Sequence, residues 1–206
     1  MPTNTVEDVF VKICGITRID DALAAVEARA DAIGLNFVAA SVRCVDHSAA
    51  RSILGVVPEH VMTVGVFRDH PPAEILEITS SLGLDAAQLH GDEPPEFTAS
   101  VARGVATVIK AVSATSPTVR TLDEHAADIV MLDALEPGGG VPFDWSLVGD
   151  LVEQHRILLA GGLRPDNVEA AIRQVRPWGV DVASGVESAP GRKDPGAVAR
   201  FVTAAR

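Results

Sequence analysis

Residues 10–17 read Phe-Val-Lys-Ile-Cys-Gly-Ile-Thr, and they set the pattern that the rest of the chain repeats. This short apolar run ends in a Cys-Gly turn, and residues with helical spacing follow it. The same unit recurs downstream as a short apolar run, a loop and an amphipathic helix. Polar residues suited to chemistry stand where the apolar runs end, and Cys14 is the first of them.

Eight such units predict eight strands that alternate with eight helices. The predicted strands are residues 9–14, 32–37, 61–67, 85–89, 105–112, 128–132, 156–160 and 180–183. The predicted helices are residues 18–30, about 46–55, 71–82, 93–103, about 115–125, 144–153, 165–175 and 195–205. The strands are near-continuous apolar runs, as is typical of parallel strands covered on both faces. This alternation indicates an α/β fold, and eight uninterrupted units favour a single (β/α)8 TIM barrel over residues 1–206.

The alternative α/β architecture is a doubly wound open sheet. That fold is expected to carry a G-x-G-x-x-G turn after the first strand. The Cys-Gly-Ile-Thr turn at residues 14–17 does not match it, and no linker or low-complexity segment divides the chain. The barrel is therefore the favoured prediction.

The composition argues against several classes of protein. Apolar residues make up 47% of the chain, but no apolar run approaches the ~18–20 residues that a membrane helix needs. The first eight residues are polar and acidic, unlike a signal peptide, and we expect a soluble, cytoplasmic protein. The formal net charge of −11 argues against nucleic acid or an anionic membrane as a partner, but not against a small anionic ligand. Two cysteines are too few for a disulfide scaffold.

The loops after the last two predicted strands suit an anion. Gly161 and Gly162 follow strand 7, where Pro165 is predicted to start the next helix, and Ser184 and Gly185 follow strand 8. Small residues let a ligand approach the backbone, whose N–H groups bind phosphate at a helix start. One such loop is more simply a strand terminator, but two on successive strands stand where TIM barrels bind phosphate. We therefore predict a phosphate site here.

Cys14 ends strand 1, where a cysteine is either inert core or a reactive thiol. Lys12 lies on the same side of the strand, two residues deeper, and its charge would lower the pKa of the thiol. The structural explanation of Lys12 is an ion pair with an acid such as Asp181 in the barrel interior. Both explanations stay open at this point.

Four further polar residues stand near strand ends or in the loops that follow. Asp133 ends strand 6, either as a loop cap or as a catalytic carboxylate. Lys110 is a candidate for a Schiff base, although an inward structural or phosphate-facing cation explains it more simply. His90 is the one histidine at a strand end, and no histidine pair has metal-ligand spacing. Arg43, in the loop after strand 2, would by itself be a solvated charge.

Taken together, these stretches resemble the phosphoribosylanthranilate isomerases of tryptophan biosynthesis over nearly the whole chain. The matching motifs are residues 12–17, 37–43, 88–93, 132–133, 143–145, 161–168, 181–187 and 190–194. Two positions depart from the family pattern. Gly139 replaces a usual threonine in the glycine loop 138–140, and Cys44 replaces a usual aromatic residue.

The resemblance implies a cofactor-free Amadori rearrangement, in which N-(5′-phosphoribosyl)anthranilate becomes 1-(o-carboxyphenylamino)-1-deoxyribulose 5-phosphate. It implies that Asp133 is the general acid that opens the furanose ring, and that Cys14 is the general base that removes the C2′ proton. It further implies that Arg43 holds the anthranilate carboxylate, that Asp181 takes part in substrate binding, and that the two glycine loops hold the phosphate. No metal is implied, and we expect a monomer or a homodimer.

Three other functions remain open from the sequence. A ProFAR-type or dual-substrate histidine-pathway isomerase would need a second glycine-rich phosphate loop and normally an Asp on strand 1, where this chain has Cys14. A Schiff-base aldolase would act through Lys110. A non-catalytic sugar-phosphate sensor would keep the phosphate loops but has no need of both Cys14 and Asp133.

Overall fold

The computed structural model describes residues 9–113, 116–133 and 151–206. Eight parallel strands form its centre. They are β1 Phe10–Cys14, β2 Ala32–Asn36, β3 Met62–Phe67, β4 Ala86–Leu89, β5 Thr107–Ser113, β6 Ile129–Asp133, β7 Ile157–Leu159 and β8 Gly179–Val182. Each strand pairs with the next in chain order, and β8 pairs with β1, so that the sheet closes into a barrel. The predicted (β/α)8 fold is confirmed.

Helices cover the outside of this barrel. They are α1 Ile19–Glu27, α2 His47–Leu54, α3 Pro72–Leu82, α4 Pro95–Ala102, α5 Leu151–Gln154, α6 Val168–Val175 and α7 Pro195–Ala205. A 3-10 helix, Pro117–Glu124, follows β5. After β8 come a 3-10 turn, Ser184–Val186, and an antiparallel hairpin of β9 Glu187–Ala189 and β10 Arg192–Lys193.

The core has two layers because successive strand residues point to opposite faces of the barrel. Side chains such as Ile13 and Leu35 pack outward against the helices, whereas Val64, Ile109 and Met131 belong to a separate inner cluster. The strands are buried on both faces, which explains their near-continuous apolar sequence. This packed wall fixes the strand ends, and the loops that follow them carry the polar residues.

Two predicted helices differ in kind or in starting point from the structure, and one hairpin is new. The helix expected at about 115–125 is a 3-10 helix, in which Thr121 leaves helical geometry at φ −120° and the polar sequence offers little apolar surface to bury. The helix expected at 165–175 begins at Val168, because the side chain of Asn167 bonds within the loop before it. The hairpin β9–β10 was not predicted. The expected helix at 144–153 lies largely outside the described residues, as do the loop 138–140 and residues 143–145.

Candidate active site

All eight residues that the sequence assigns to catalysis or substrate binding line one cavity at the carboxyl ends of the strands. They are Cys14, Arg43, Asp133, Gly161, Gly162, Asp181, Ser184 and Gly185. The cavity has a volume of about 280 Å³. The parallel barrel accounts for this convergence, because every βα loop opens on the same face.

Cys14 lies above a buried ion pair in the barrel interior. The register of β1 on β8 places Lys12 opposite Asp181, and Lys12 Nζ lies 2.6 Å from Asp181 Oδ1. The structural explanation of Lys12 is thus confirmed. Burial raises the pKa of the Cys14 thiol above its usual range, and the charge of Lys12 lowers it by less. Lys12 therefore lowers the pKa of the thiol, as its charge predicts, but desolvation outweighs the ammonium.

Gly34 makes room for the thiol, although no sequence motif singled it out. It lies opposite Cys14 in the register of β1 on β2. A Cβ at this position would lie 2.8 Å from Cys14 Sγ and 3.2 Å from Lys12 Nζ. The absence of a side chain at Gly34 therefore lets the thiol and the ammonium occupy their positions.

Asp133 lies next to a histidine in the wall of the cavity. His90 Nε2 lies 3.2 Å from Asp133 Oδ2, and Gln88 Nε2 lies 2.8 Å from His90 Nδ1. With the Gln88 amide as the donor, His90 accepts at Nδ1 and donates from Nε2 to the carboxylate. His90 thus has a partner in the site, although its position at a strand end was the only sign of this in the sequence.

Lys110 lies beside this group but is already paired. Its ammonium contacts the Glu93 carboxylate at 2.5 Å and donates to the carbonyl of Gly91 at 2.6 Å. Both side chains are buried, so Lys110 is an inward structural cation that secures the loop after β4. An amine held in a buried ion pair is a poor nucleophile, and the Schiff-base interpretation loses its support.

The loops after β7 and β8 meet at the opposite rim. Gly161 and Gly162 have φ of 89° and 67°, a backbone conformation that glycine adopts without strain. A Cβ on Gly185 would collide with the carbonyl oxygen of Leu163, so these two loops touch through their backbones. Asn167 fixes the first loop, because its Nδ2 donates to Gly162 O at 2.9 Å. Its Oδ1 accepts from Arg164 N at 2.7 Å.

Arg43 is held by a carboxylate. Its Nε and Nη2 donate to the two carboxylate oxygens of Glu187 at 2.7 and 2.8 Å. These hydrogen bonds raise the pKa of Arg43, so the guanidinium stays charged. The arginine is thus a fixed group in the cavity wall rather than a solvated loop charge. Glu187 ends the motif 181–187, but the sequence did not indicate that it would bind Arg43.

The described residues contain neither a metal-ion cluster nor a helix suited to a membrane. No group of three or more His, Cys, Asp or Glu side chains there has an arrangement that would hold a metal ion. None of the helices in residues 9–113, 116–133 and 151–206 combines the length and apolar character needed to cross a membrane.

Comparison with known proteins places the chain in a family. A family model described as N-(5′-phosphoribosyl)anthranilate (PRA) isomerase matches residues 11–204. The Myxococcus xanthus protein named N-(5′-phosphoribosyl)anthranilate isomerase is 49% identical over 207 residues, covering 96% of both chains.

Two solved structures are also similar. One is a phosphoribosyl anthranilate isomerase in complex with reduced 1-(o-carboxyphenylamino)-1-deoxyribulose 5-phosphate. It is 42% identical with a TM-score of 0.86, and the match covers 96% of this chain and 98% of that one. The other is a monomeric form of the dimeric Thermotoga maritima isomerase, 40% identical with a TM-score of 0.86 and the same coverage. The chain therefore belongs to the N-(5′-phosphoribosyl)anthranilate isomerase family.

Proposed function

We propose that this chain converts N-(5′-phosphoribosyl)anthranilate to 1-(o-carboxyphenylamino)-1-deoxyribulose 5-phosphate in tryptophan biosynthesis, with Asp133 as the general acid and Cys14 as the general base. The observation that carries the proposal is the composition of one cavity. A thiol, a carboxylate, a fixed guanidinium and two glycine loops all line it. Each group corresponds to a part of this substrate that needs a partner.

The first step opens the ribose ring. Asp133 donates a proton to the ring oxygen, the anilino nitrogen pushes its lone pair toward C1′, and the bond between C1′ and the ring oxygen breaks. The product is a protonated Schiff base, and Asp133 is left as a carboxylate. His90, 3.2 Å from Asp133 Oδ2, donates to that carboxylate and keeps its oxygens oriented.

The second step moves the double bond. The Cys14 thiolate removes the proton from C2′, and the electrons of that C–H bond form the C1′=C2′ bond of an enolamine while the nitrogen becomes neutral. Tautomerisation then gives the C2′ ketone. Lys12 supports the thiolate by its charge, whereas burial disfavours it, so the base is a minor but strongly basic species.

The remaining contacts bind the unreactive ends of the substrate. The phosphate is assigned to the backbone of Gly162, Ser184 and Gly185, where two loops meet closely and offer N–H groups. The anthranilate carboxylate is assigned to Arg43, which is held at the rim of the same cavity. Asp181 acts through its ion pair with Lys12 at the cavity floor.

The proposal extends to the setting of the enzyme. Residues 1–206 form one catalytic domain located in the cytoplasm. The partner is a phosphorylated small molecule, and the net charge of −11 supports the absence of nucleic acid and anionic membrane as partners. A homodimer is the favoured assembly, since a similar isomerase is described as dimeric.

The test is turnover of the fluorescent anthranilate adduct by the purified protein, run beside a ProFAR assay. We expect turnover of the anthranilate substrate, and a loss of about 10²-fold or more in kcat for Cys14→Ala and for Asp133→Asn. Matched controls are Cys44→Ala, at an exposed cysteine, and Asp123→Asn, at an exposed carboxylate. Exclusive turnover of ProFAR would contradict the proposed substrate. Near-full kcat in Cys14→Ala would contradict the assignment of Cys14 as the general base.

A further inference from the structure

Glu187 touches two cations at the rim of the cavity, and neither contact belongs to the chemistry described above. We infer that Glu187, anchored by Lys193, is a positioning residue that sets the Arg43 guanidinium for recognition of the substrate's carboxylate. This inference rests on the proposed function, in which Arg43 binds that carboxylate. Glu187 itself does not contact the substrate and acts through Arg43.

The contact between Glu187 and Arg43 is bidentate, with distances of 2.7 and 2.8 Å. A guanidinium bound through two parallel hydrogen bonds has its plane fixed, which a single bond would not achieve. Among the described residues, Glu187 is the one side chain that bonds the Arg43 guanidinium, through Nε and Nη2. Nη1 takes no part in this pair, and the carboxylate of the substrate is assigned to it.

Lys193 anchors the carboxylate from the other side. Its ammonium lies 3.0 Å from Glu187 Oε1 and 3.0 Å from the carbonyl of Ala183, and the residue is only 2% exposed. The short hairpin makes this possible, because Lys193 on β10 pairs with Glu187 on β9. Ala183 directly precedes the Ser184–Val186 turn, so one ammonium ties the hairpin to the loop after β8.

The charges of the three side chains explain why two cations accompany one carboxylate. An isolated Arg–Glu pair is neutral and offers little attraction to an anion. Arg43 and Lys193 together with Glu187 give a net charge of +1, so the cluster keeps the arginine fixed and remains attractive to a carboxylate. Burial works against ionisation of Glu187, but the hydrogen bonds of Arg43 and the charge of Lys193 lower its pKa below the usual value.

Neighbouring loops hold the cluster in place. Gly15, at φ 73°, lies against the Arg43 side chain so closely that a Cβ there would collide with Arg43 Cδ. Thr17 Oγ1 donates to the carbonyl of Gly191 in the hairpin at 2.5 Å. The loops after β1, β2 and β8 thus meet around the aliphatic part of Arg43 and leave its guanidinium to be oriented by Glu187.

Removal of the Glu187 charge should not by itself make Arg43 and Lys193 bind an anion more tightly. Burial lowers the pKa of Lys193, and Glu187 is the main group that opposes this fall. In Glu187→Gln, the pKa of Lys193 would therefore fall further, which works against the positive charge gained by removing the carboxylate. The main loss is the fixed orientation of Arg43, because an amide presents only one acceptor to a guanidinium.

The experiment compares two ligands by titration calorimetry on the intact protein. One is 1-(o-carboxyphenylamino)-1-deoxyribulose 5-phosphate, and the other is its phenylamino analogue without the carboxylate. We expect Glu187→Gln to raise the Kd of the carboxylated ligand about tenfold and that of the analogue by less than about twofold. The kcat with the true substrate should stay within about threefold, while KM rises with the Kd.

The matched control is Glu169→Gln, which breaks an exposed pair with Arg173 on α6 and should leave both Kd values unchanged. Arg43→Met supplies the other half of a double-mutant cycle. If Glu187 acts through Arg43, Glu187→Gln should have no further effect on the Kd of the carboxylated ligand in the Arg43→Met background. A Tm measured for each variant shows whether it is folded.

The outcomes separate the inference from the function on which it rests. Equal weakening of both ligands by Glu187→Gln, or tighter binding of the carboxylated one, would overturn the positioning role. An independent effect of Glu187→Gln in the Arg43→Met background would overturn it as well. If Arg43→Met weakened both ligands equally in the otherwise unchanged protein, the assignment of the carboxylate to Arg43 would fail first.

Discussion

Burial of Cys14 makes its thiolate scarce at neutral pH, and the pH dependence of the reaction should show this. The pKa of the thiol lies above its usual range. The thiolate fraction then grows about tenfold per pH unit, and we expect kcat/KM to keep rising beyond about pH 8.5, the ordinary thiol value. The measurement is the pH profile of kcat/KM.

The variants of Cys14 give the control for this profile. Cys14→Ala should lose the rising limb together with most of the activity. Cys14→Ser should not restore it, because an alcohol is far less acidic than a thiol. A limb that persists in Cys14→Ala would assign the pH dependence to another group, and a wild-type profile that is flat above neutrality would contradict the raised pKa.

Gly34 is the residue whose substitution should disturb the base without removing it. In Gly34→Ala, the new methyl group would lie 2.8 Å from Cys14 Sγ, closer than real Cβ contacts allow. The thiol must move, and a displaced base loses near-attack geometry, so we expect kcat to fall by about 10²-fold. Steady-state kinetics measures this.

The control for Gly34→Ala is Gly55→Ala, at a helix end with φ −62° and ordinary contact distances. It adds the same methyl group far from the thiol and should keep full activity. Full activity in Gly34→Ala would mean that the thiol has room to spare, and Gly34 would then have no part in placing the base.

The residue scale also shows what the sequence can and cannot predict. The pairing of Lys12 with Asp181 was predictable, because alternation along β1 puts Lys12 inside a barrel where a charge needs a partner. The contact of Arg43 with Glu187 was not predictable in this way, since 144 residues separate them and no periodicity relates them. The role of Gly34 was not predictable either, because it depends on the register that places this residue opposite Cys14.

Among the larger elements, the loop after β7, one of the two loops of the phosphate site, depends on one amide side chain. Asn167 bonds both Gly162 and the backbone of Arg164. Asn167→Ala removes two hydrogen bonds of about 1 kcal/mol each, and the loop that carries Gly161 and Gly162 then loses two of its anchors. We expect the inhibition constant of inorganic phosphate and the KM of the substrate each to rise about tenfold, with a smaller change in kcat.

The neighbouring variant Asp166→Ala is the control, since Asp166 is exposed and its carboxylate pairs with the side chain of Arg164. It should leave inhibition by phosphate as it is in the wild type. An unchanged inhibition constant in a folded Asn167→Ala variant would place the phosphate elsewhere on the carboxyl face.

The success of the element predictions follows the strength of the apolar pattern. The strands were predictable because each is a short apolar run buried on both faces, and the helices because they repeat between the runs. The hairpin β9–β10 escaped prediction because its strands have three and two residues and carry mostly polar side chains. The loop 138–140, where Gly139 replaces a usual threonine, lies outside the described residues.

The stability of the whole molecule should depend on pH through a histidine outside the active site. His125 follows the 3-10 helix and is buried, with its Nδ1 3.0 Å from Thr98 Oγ1 on α4. Burial lowers its pKa, and the charge of Lys110 lowers it further. The folded protein therefore holds His125 neutral at a pH at which the unfolded chain already binds a proton.

The sign of the effect follows from this difference in protons bound. Above about pH 6.5, the ordinary histidine value, neither state is protonated at His125 and the residue adds no pH dependence. Below that value the unfolded state gains a proton first, so the free energy of unfolding decreases as the pH is lowered, until the folded pKa is reached.

Denaturant unfolding at a series of pH values between about 5 and 8 measures this decrease. His125→Gln, which keeps a polar partner for Thr98 but does not titrate, should flatten the curve in this window. The exposed His60 is the matched control, and His60→Gln should leave the slope unchanged. A slope in His125→Gln as steep as in the wild type would assign the acid sensitivity to other groups.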